Sequence, residues 1–414
     1  MILIEKHKIS SNHPYYKELD ELCFLSKNLY NKANYIIRQE FIKTSKDKQD
    51  GLVDHANYLN YYNIQKQLQN NKDVDYKNLP AKVSQQILML LDKNWKSFFK
   101  SIKDYKINPH KYNGRPKLPK YRDKIKGRNL LIYTIQAIYE KELKNDIVHL
   151  SGTNIRILTK QKNINQVRII PKNKEYVIEI IYEKNINDLK LKKDNIIGID
   201  IGINNLCAIT SNQNNVKPLL INGRPLKAIN QYYNKKKAKL QSFVGNKNSN
   251  RIIKLTNKRN KKVDNYLHNT SRYIITHLIS NNIGTLVIGK NLLWKQESNI
   301  GKCNNQNFVN IPHARLIDII KYKAELVGID VILTEESYTS KCSFIDFEEL
   351  CRHDNYLGNR KYRGLFISNE GIIINADCNG SGNIIRKVFP NAFVDGIEGV
   401  VVHPIRVNPY KLVS

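Results

Sequence analysis

Two aspartates stand out in this chain because each closes an apolar run. Asp200 follows Ile196-Ile197-Gly198-Ile199, and Asp377 follows Ile372-Ile373-Ile374-Asn375-Ala376. Apolar runs of this kind are typical of strands buried on both faces, and open α/β sheets build their sites where such strands end. Two carboxylates at strand ends, far apart in sequence, suggest a site in which two divalent ions cleave a phosphodiester.

The overall charge indicates which polymer such a site would act on. The chain has 414 residues, enough for two or three domains, and 41% of them are hydrophobic, as in globular proteins. Its 68 Lys and Arg outnumber its 37 Asp and Glu, which gives a net charge of +31. An excess this large predicts a polyanionic partner, and we expect nucleic acid rather than a membrane surface.

Cysteine usage and apolar stretches bear on the compartment. The cysteines are scattered and form no C-x-x-C pair: Cys23, Cys207, Cys303, Cys342, Cys351 and Cys378. This pattern is typical of a reducing compartment. The start of the sequence lacks the apolar core of a signal peptide, and no stretch approaches the roughly 18 apolar residues of a membrane span. We therefore expect a cytoplasmic protein.

Two segments concentrate the positive charge. Residues 96–128 hold twelve Lys or Arg against two acids, with Tyr105, Tyr112 and Tyr121 between them, and residues 227–262 hold twelve and no acid. Cations interleaved with aromatic rings suit phosphates and unstacked bases, whereas a merely solvated surface normally mixes both signs. The candidate nucleic-acid contacts are Arg115, Lys117, Lys120, Arg122, Lys258 and Arg259.

The elements that must position these residues follow from periodicity. The pattern is helical from 16 to 105, becomes a basic loop over 106–128, and then predicts strands between 130 and 190 that suit a small β-barrel. From 195 the pattern is α/β and resembles a ribonuclease-H-like core. Its strands are predicted at 195–201, 205–210, 217–221, 284–289 and 329–335, and its helices at 227–280 (a basic pair), 312–327 and 377–389.

Ordered motifs across nearly the whole chain resemble one family. They are Leu29-Tyr30-Asn31-Lys32-Ala33, Gly114-Arg115-Pro116-Lys117-Leu118-Pro119-Lys120-Tyr121, Gly198-Ile199-Asp200-Ile201-Gly202, Asn305-Gln306-Asn307-Phe308-Val309-Asn310-Ile311-Pro312-His313, Tyr338-Thr339-Ser340-Lys341-Cys342-Ser343-Phe344, Arg363-Gly364-Leu365-Phe366 and Ile374-Asn375-Ala376-Asp377-Cys378-Asn379-Gly380. Together they resemble transposon-encoded TnpB proteins, which are RNA-guided DNA endonucleases with a RuvC domain. That family is related to type V CRISPR effectors and to eukaryotic Fanzor proteins.

The resemblance implies a multidomain α/β and α+β fold. Its parts would be a first strand of a β-barrel (wedge) domain at 1–15, a helical recognition domain at 16–105, the rest of the wedge domain with the basic loop at 106–192, and a RuvC domain at 193–414. It also implies a monomer that binds a guide RNA derived from the transposon end, a matched DNA target, and Mg²⁺ or Mn²⁺. A nuclease-dead RNA-guided repressor and a guide-independent nuclease remain alternative functions.

The resemblance assigns Asp200 as the first catalytic aspartate and Asp377 as the last, but the usual glutamate is displaced. TnpB proteins usually carry that acid at the end of the fourth strand, where this chain has Gly289. A subset of the family uses a glutamate just before the Tyr-Thr-Ser motif, and Glu336 matches that position. Adjacent strands are about 4.8 Å apart, so a glutamate one strand further out can reach the site. Its neighbour Glu335 is the second choice and would point to the opposite face.

The zinc-binding cysteine pairs of the family are incomplete in this chain. Many relatives carry two C-x-x-C pairs between the Tyr-Thr-Ser motif and the last aspartate, whereas this chain offers Cys342, Cys351 and His353 there, and Cys378 after the aspartate. Because structural zinc needs four ligands, we interpret 341–371 as a degenerate zinc-ribbon-like insertion and expect no zinc.

One helix face is a weaker candidate. Lys82 and Gln86, four residues apart, resemble the family's reader of the target-adjacent DNA motif, although an ordinary polar face explains them equally well. We expect structural roles for His268 and His313.

Overall fold

The computed structural model describes residues 1–52, 56–245, 247–291, 301–394, 396 and 401–409, and within them the side chains of 302–304, including Cys303, lie outside the description. The chain divides into two compact units, Met1–Lys184 and Asn185–Ser414. The sequence placed the corresponding boundary at 192/193. In the described part of the chain, no helix combines the length and the apolar character needed to span a bilayer.

The helices are α1 (Tyr16–Gln49), α2 (Tyr61–Asn70), α3 (Val74–Lys77), α4 (Ala81–Ile107), α5 (Glu140–Leu143), α6 (Arg224–Val244), α7 (Asn250–Ser280), α8 (Lys302–Asn310), α9 (His313–Glu325) and α10 (Ala376–Val388). The strands are β1 (Ile2–Ile9), β2 (Leu131–Thr134), β3 (Ile147–His149), β4 (Arg156–Leu158), β5 (Ile164–Lys172), β6 (Glu175–Glu183), β7 (Lys192–Asp200), β8 (Asn205–Ser211), β9 (Leu219–Asn222), β10 (Ile283–Gly289), β11 (Asp330–Thr334), β12 (Asn359–Tyr362), β13 (Leu365–Ile367), β14 (Ile373–Ile374) and β15 (Ile405–Val407).

The first unit joins helices to an antiparallel sheet. Its four-stranded sheet has the order β1-β6-β5-β2, and β3 and β4 form a separate two-stranded sheet. The predicted first strand, β1, pairs with β6 along all of its residues. The side chains of α1 and α4 share one hydrophobic core with this sheet. Strands predicted to form a barrel therefore occur here as an open sheet and a hairpin.

The apolar stripe of α4 explains how the helices of this unit pack. Val83, Ile87, Leu91 and Trp95 recur at helical spacing and are buried. The indole N–H of Trp95 donates a 3.0 Å hydrogen bond to Asn34 Oδ1 on α1. A buried tryptophan needs such a partner for its one polar atom, so this bond fixes α4 against α1.

The second unit is built on a six-stranded sheet with the order β11-β10-β7-β8-β9-β15. Strand β8 runs antiparallel to both of its neighbours, while β7, β9, β10, β11 and β15 run parallel to one another. All five predicted strands form, with bounds that differ from the prediction by up to three residues. Strand β15, which extends the sheet beside β9, was not predicted.

Helices cover both faces of this sheet, as the alternation along β7 requires. Ile197 and Ile199 pack into a core with α7 and α9, whereas Ile196 faces the core formed with α10. Gly198 permits a close approach of α10, because a β-carbon there would overlap the carbonyl oxygen of Ser381 and lie 2.7 Å from Ile385 Cγ1. Because Gly198 has no side chain, α10 packs closely against β7, and the start of α10 lies near the end of that strand.

The position of Asp377 corrects one expectation. The run Ile372-Ile373-Ile374 forms only the two-residue strand β14, which pairs with β13 in a separate three-stranded sheet. Asp377 lies in the first turn of α10, in agreement with the helix predicted over 377–389, and not at the end of the apolar strand. The chain turns into a helix at Asn375, whose side-chain oxygen accepts hydrogen bonds from the backbone N–H groups of Asp377 and Cys378.

Candidate active site

The first carboxylate, Asp200, is the last residue of β7 and lies in the middle of the sheet. Ile199 pairs with Ile288 on β10, so Asp200 stands level with Gly289 on the neighbouring strand. Gly380 of α10 lies against the carboxylate, since a β-carbon at 380 would be 2.9 Å from Asp200 Oδ2. Strand, neighbouring strand and helix therefore enclose this side chain.

The second carboxylate, Asp377, is held by three neighbours. Its backbone N–H is capped by Asn375, Asn205 Nδ2 donates a 2.8 Å hydrogen bond to its Oδ2, and the Arg360 guanidinium lies 3.2 Å from its Oδ1. The first turn of a helix also favours a negative charge. Asn205 begins β8, directly after the turn that follows Asp200. Its hydrogen bond to Asp377 therefore connects the strand end that carries Asp200 with the helix that carries Asp377.

The third acid, Glu336, fills the space above Gly289. It follows the end of β11, whose Thr334 pairs with Gly289 on β10. A β-carbon at 289 would lie 2.6 Å from Glu336 Cγ and closer still to its Oε1. Asn291 fixes this position from both ends, donating to Glu336 Oε2 over 3.2 Å and accepting from the Glu336 backbone N–H over 2.8 Å.

Helix α10 also anchors the segment that carries Glu336. Asn379 accepts from the backbone N–H of Phe344 at 2.8 Å and donates to the carbonyl of Cys342 at 2.9 Å. Asn383 donates to the carbonyls of Thr339 and Cys342 at 3.0 and 2.8 Å. The same helix that presents Asp377 therefore fixes the loop after Glu336.

Two of these acids, Asp200 and Glu336, have raised pKa values. Burial, reinforced by the charges of Glu336 and Asp377, raises the pKa of Asp200 well above its usual range, and only Arg360 opposes this shift. Burial, with a smaller contribution from Glu335, raises the pKa of Glu336 to about 7. Perturbed carboxylates clustered at a strand edge are a signature of functional sites.

Glu335 takes no part in this cluster. Its carboxylate is exposed, lies 3.0 Å from Lys387 Nζ, and accepts a 2.6 Å hydrogen bond from the Ser337 hydroxyl. These two partners lower its pKa, in contrast to the raised pKa of Glu336. The placement favours Glu336 as the third acid of the site.

The donor set suits a hard divalent cation. Glu336 Oε1 is buried and lacks a hydrogen-bond partner, and no side-chain hydrogen bond reaches Asp200 within the described residues. Carboxylate oxygens are the ligands that Mg²⁺ and Mn²⁺ prefer. Over the described ranges, no three His, Cys, Asp or Glu side chains already form a metal cluster, so the acids would have to turn toward a shared ion.

A buried glutamate organises the insertion at 341–371. Glu348 accepts hydrogen bonds from the backbone N–H groups of Ser343 at 2.6 Å and Leu357 at 2.8 Å. Cys351 Sγ lies 3.4 Å from His353 Nε2, while Cys342 Sγ contacts the backbone oxygen of Cys351. Cys378 is buried in the core beneath α10. The Glu348 carboxylate thus connects two backbone segments of the insertion through hydrogen bonds.

Replacing this carboxylate should destabilise the insertion. Glu348→Ala leaves the buried N–H of Ser343 without an acceptor, so we expect the free energy of unfolding to fall by about 2 kcal/mol or more. Urea melts of the variant, compared with those of the exposed neighbour variant Glu349→Ala, measure the loss. A Glu348→Ala protein as stable as Glu349→Ala would show that the hydrogen bonds do not organise this loop.

The basic loop of the first unit is anchored through its backbone. Asn31 of α1 donates to the carbonyl of Arg122 at 2.9 Å and accepts from its N–H at 2.8 Å, and Asn34 donates to the carbonyl of Pro119 at 3.0 Å. Arg38 stacks over the Tyr121 ring. Because the backbone carries these bonds, the side chains of Arg115, Lys117, Lys120 and Arg122 remain exposed.

The weaker candidates fall in different environments. Lys82 is exposed and Gln86 half-buried on the first turns of α4. Lys258 is exposed on α7, but the neighbouring Arg259 donates to Asn230 Oδ1 at 2.8 Å and to the carbonyl of Asn310 at 2.6 Å. These internal bonds favour a packing role for Arg259 over the nucleic-acid contact that the sequence predicts.

The two histidines lie in different environments. His313 is buried, with Nε2 3.2 Å from the carbonyl of Gly202 in the turn after Asp200. His268 is exposed on α7, and partial burial of its ring lowers its pKa.

Sequence reasoning missed several residues of the site. Asn205, Asn291 and Arg360 contact the acids directly, yet each is an ordinary polar residue in an Asn-rich, basic chain. Asn291 carries the one usable signal, since it follows the strand that lacks its acid. The two aspartates were predicted because each follows an apolar run, whereas Glu336 was predicted from the family motif.

Comparisons with known proteins place this site in two family domains. Residues 175–295 match the OrfB_IS605 family, described as a probable transposase, and residues 313–384 match the TNB domain of Cas12f1-like proteins. The first match spans Asp200 and Gly289, and the second spans Glu336 and Asp377. The resemblance to TnpB proteins is confirmed.

Three relatives are similar to this chain over half of its length or more. A TnpB-like protein of Acidianus two-tailed virus is 25% identical over 439 aligned positions, covering 95% of this chain and 89% of the relative. A TnpB-like protein of Methanocaldococcus jannaschii is 26% identical, covering 51% and 71%. The CRISPR-associated endodeoxyribonuclease Cas12f2 of a Micrarchaeota archaeon is 27% identical, and the aligned region covers 53% of this chain and 41% of the relative.

Solved structures show more distant similarity. The protein in a complex of Cas12f1 with sgRNA and target DNA has a TM-score of 0.36 at 15% identity, with 92% of this chain and 98% of that chain covered. The mini-RNA-guided endonuclease CRISPR-Cas_phi3 has a TM-score of 0.44 at 10% identity, covering 93% and 92%. TM-scores this low establish neither the fold nor the function of this chain.

Proposed function

We propose that this chain, which is similar to TnpB-like proteins, is an RNA-guided DNA endonuclease of a transposon. Its guide RNA would derive from the transposon end, and base pairing would select the DNA target beside a short flanking motif. The observation that carries the nuclease activity is the arrangement of Asp200, Glu336 and Asp377, in which Glu336 replaces the acid absent at Gly289.

The three acids would hold Mg²⁺ or Mn²⁺. Such ions activate the attacking water and stabilise the leaving oxygen of a phosphodiester. Asn205 and Asn291 orient Asp377 and Glu336, and Arg360 offsets part of the negative charge before a cation binds. Because Asp200 is buried, it would attract a cation bound beside it more strongly than an exposed carboxylate would.

The architecture supports assignments for the parts of the chain. We interpret the six-stranded sheet with its antiparallel β8 as a ribonuclease-H-like RuvC core within 193–414, with α6 and α7 as the helical insertion. We assign 16–105 to a recognition domain, and 1–15 together with 106–192 to a wedge domain. The pairing of β1 with β6 supports the grouping of the first strand with the later ones.

Guide RNA binding should depend steeply on salt because of the anchored basic loop. Replacing Arg115, Lys117, Lys120 and Arg122 with alanine should weaken binding and flatten the plot of log K against log salt. Each lost phosphate contact lowers the slope by about 0.7, so the four together should lower it by about 3. Filter binding across a salt series measures this slope.

The matched control removes the same charge elsewhere in the first unit. Lys17, Lys43, Lys46 and Lys48 are exposed on α1 and belong to neither basic segment. Alanine at these positions should change the slope much less. Equal slopes for both quadruple variants would show that the loop acts only through net charge.

A nuclease-dead RNA-guided repressor is the second candidate. Gly289, which lacks the usual acid, favours it, whereas the intact Asp200 and Asp377 oppose it. Purified protein with guide RNA, Mg²⁺ and a matched target in a randomised flanking library decides between the two functions. Cutting of any library member supports the nuclease, whereas bound but uncut targets identify the repressor.

A further inference from the structure

A groove of about 450 Å³ opens beside Asp377. Its charged and polar lining includes Arg224, Arg360, Arg363, Arg406, Asn205 and Asp377. Among the described residues that line it, Asp377 is the only acid. The groove therefore joins the proposed active site to a wall of arginines.

Sheet topology determines where this groove runs. Strands β9 and β15 are parallel to β7, so their ends at Asn222 and Val407 reach the same edge of the sheet as Asp200. Arg224 follows β9, and Arg406 lies near the end of β15. The groove thus runs from β7 toward β15, away from β11 and Glu336, over three strand spacings or about 14 Å.

The arginines on this path are available to a ligand. Arg360 is paired with Asp377, but the side chains of Arg224, Arg363 and Arg406 make no hydrogen bond or ion pair with the described residues, and all three are exposed. A guanidinium offers a planar set of N–H donors that matches phosphate. Three unpaired guanidinium groups along one groove suit a chain of successive phosphates better than a single small anion.

We propose that this groove holds consecutive phosphates of the cleaved DNA strand on one side of the cut, with Arg224 and Arg406 as its outer contacts. The proposal rests on the nuclease function, because the groove ends at Asp377. The strand passes the acids at one end of the groove and follows the sheet edge to β15. Positive charge along this path fixes the strand, and so determines which phosphate reaches the acids.

Binding of a short single-stranded oligonucleotide tests the groove without cleavage. The double variant Arg224→Ala, Arg406→Ala should flatten the plot of log K against log salt by about 1.4, since each phosphate contact on a single strand contributes about 0.7. Arg352→Ala is the control for an arginine lost outside the groove, because Arg352 is exposed in the same unit and does not line the groove. Fluorescence anisotropy across a salt series measures both.

Cleavage of substrates with one neutral methylphosphonate at a time locates the contacts. In the wild type, neutral linkages should slow cutting on one side of the cut only, and the double variant should lose that sensitivity while Arg352→Ala keeps it. Sensitivity that is equal on both sides, or unchanged in the double variant, overturns the proposal.

The two measurements separate this proposal from the nuclease function. If the double variant shows the expected slope change relative to the wild type but the wild type cuts no target, the phosphate contacts of the groove stand and the nuclease function fails. If the wild type cuts and the double variant binds with an unchanged slope, the groove fails and the nuclease function stands. The conservative pair Arg224→Lys, Arg406→Lys should recover most of the slope.

Discussion

Asp200→Ala and Asp377→Ala should each reduce target cleavage by at least about a thousandfold, the range seen when a member of a catalytic group is removed. Both acids face the site, and neither is placed to grip the nucleic-acid backbone elsewhere. Binding of guide RNA and target should therefore remain near the wild-type level. Single-turnover cleavage and gel-shift measurements on the same preparations give both quantities.

Stability gives an independent readout of the same assignment. Because the folded protein raises the pKa of Asp200, its ionised form opposes folding, and this cost grows as pH rises above the ordinary aspartate pKa of about 4. Asp200→Asn should thus melt at a higher temperature than metal-free wild type, by a margin that increases with pH. Mn²⁺ should raise the melting temperature of the wild type and so reduce the difference in melting temperature between the two proteins. A variant that cuts normally, or that gains no stability, contradicts the assignment of Asp200.

Glu336→Gln should reduce cutting by more than the 10–100-fold loss typical of residues that only support a metal ligand. The change removes the charge and hardly alters the shape, so RNA and DNA binding should persist. Glu335→Gln is the adjacent control and should have a small effect, because Glu335 is exposed and paired with Lys387. If Glu335→Gln is the variant that fails, the third acid has been misassigned.

Gly289 extends this test to a residue with no functional group. Gly289→Ala should impair cutting by about 10–100-fold, because its β-carbon would displace the Glu336 side chain. Gly289→Glu alone should fail for the same reason, whereas Gly289→Glu combined with Glu336→Gly should recover activity, since the space is then free for the new acid. Full activity of Gly289→Ala would mean that Glu336 works from another position.

The core of the second unit was predictable because its signal is local. Continuous apolar runs predicted the five strands around Asp200 and Gly289, and amphipathic spacing predicted α9 and α10. Strand β15 was missed, since its three residues join the sheet only through pairing with β9, almost 200 residues earlier.

The site was predictable only as far as its acids. Asp377 was expected both at the end of an apolar strand and near the start of a helix over 377–389. The helix forms, but the strand stops at Ile374 because Asn375 caps the helix. Glu336 was found through the family motif. The contacts of Asn291 and Arg360 with the acids depend on side-chain geometry across distant segments, which no spacing in the sequence records.

The shared space of Gly289 and Glu336 restricts how such a site can evolve. A lineage that moves its acid from one strand to the next passes through an intermediate with both side chains, which collide, or with neither, which lacks an acid. On the proposed role of Glu336, both intermediates would cut poorly, which opposes the exchange in either direction. A survey that counts catalytic acids only at the end of the fourth strand would then classify such a lineage as inactive.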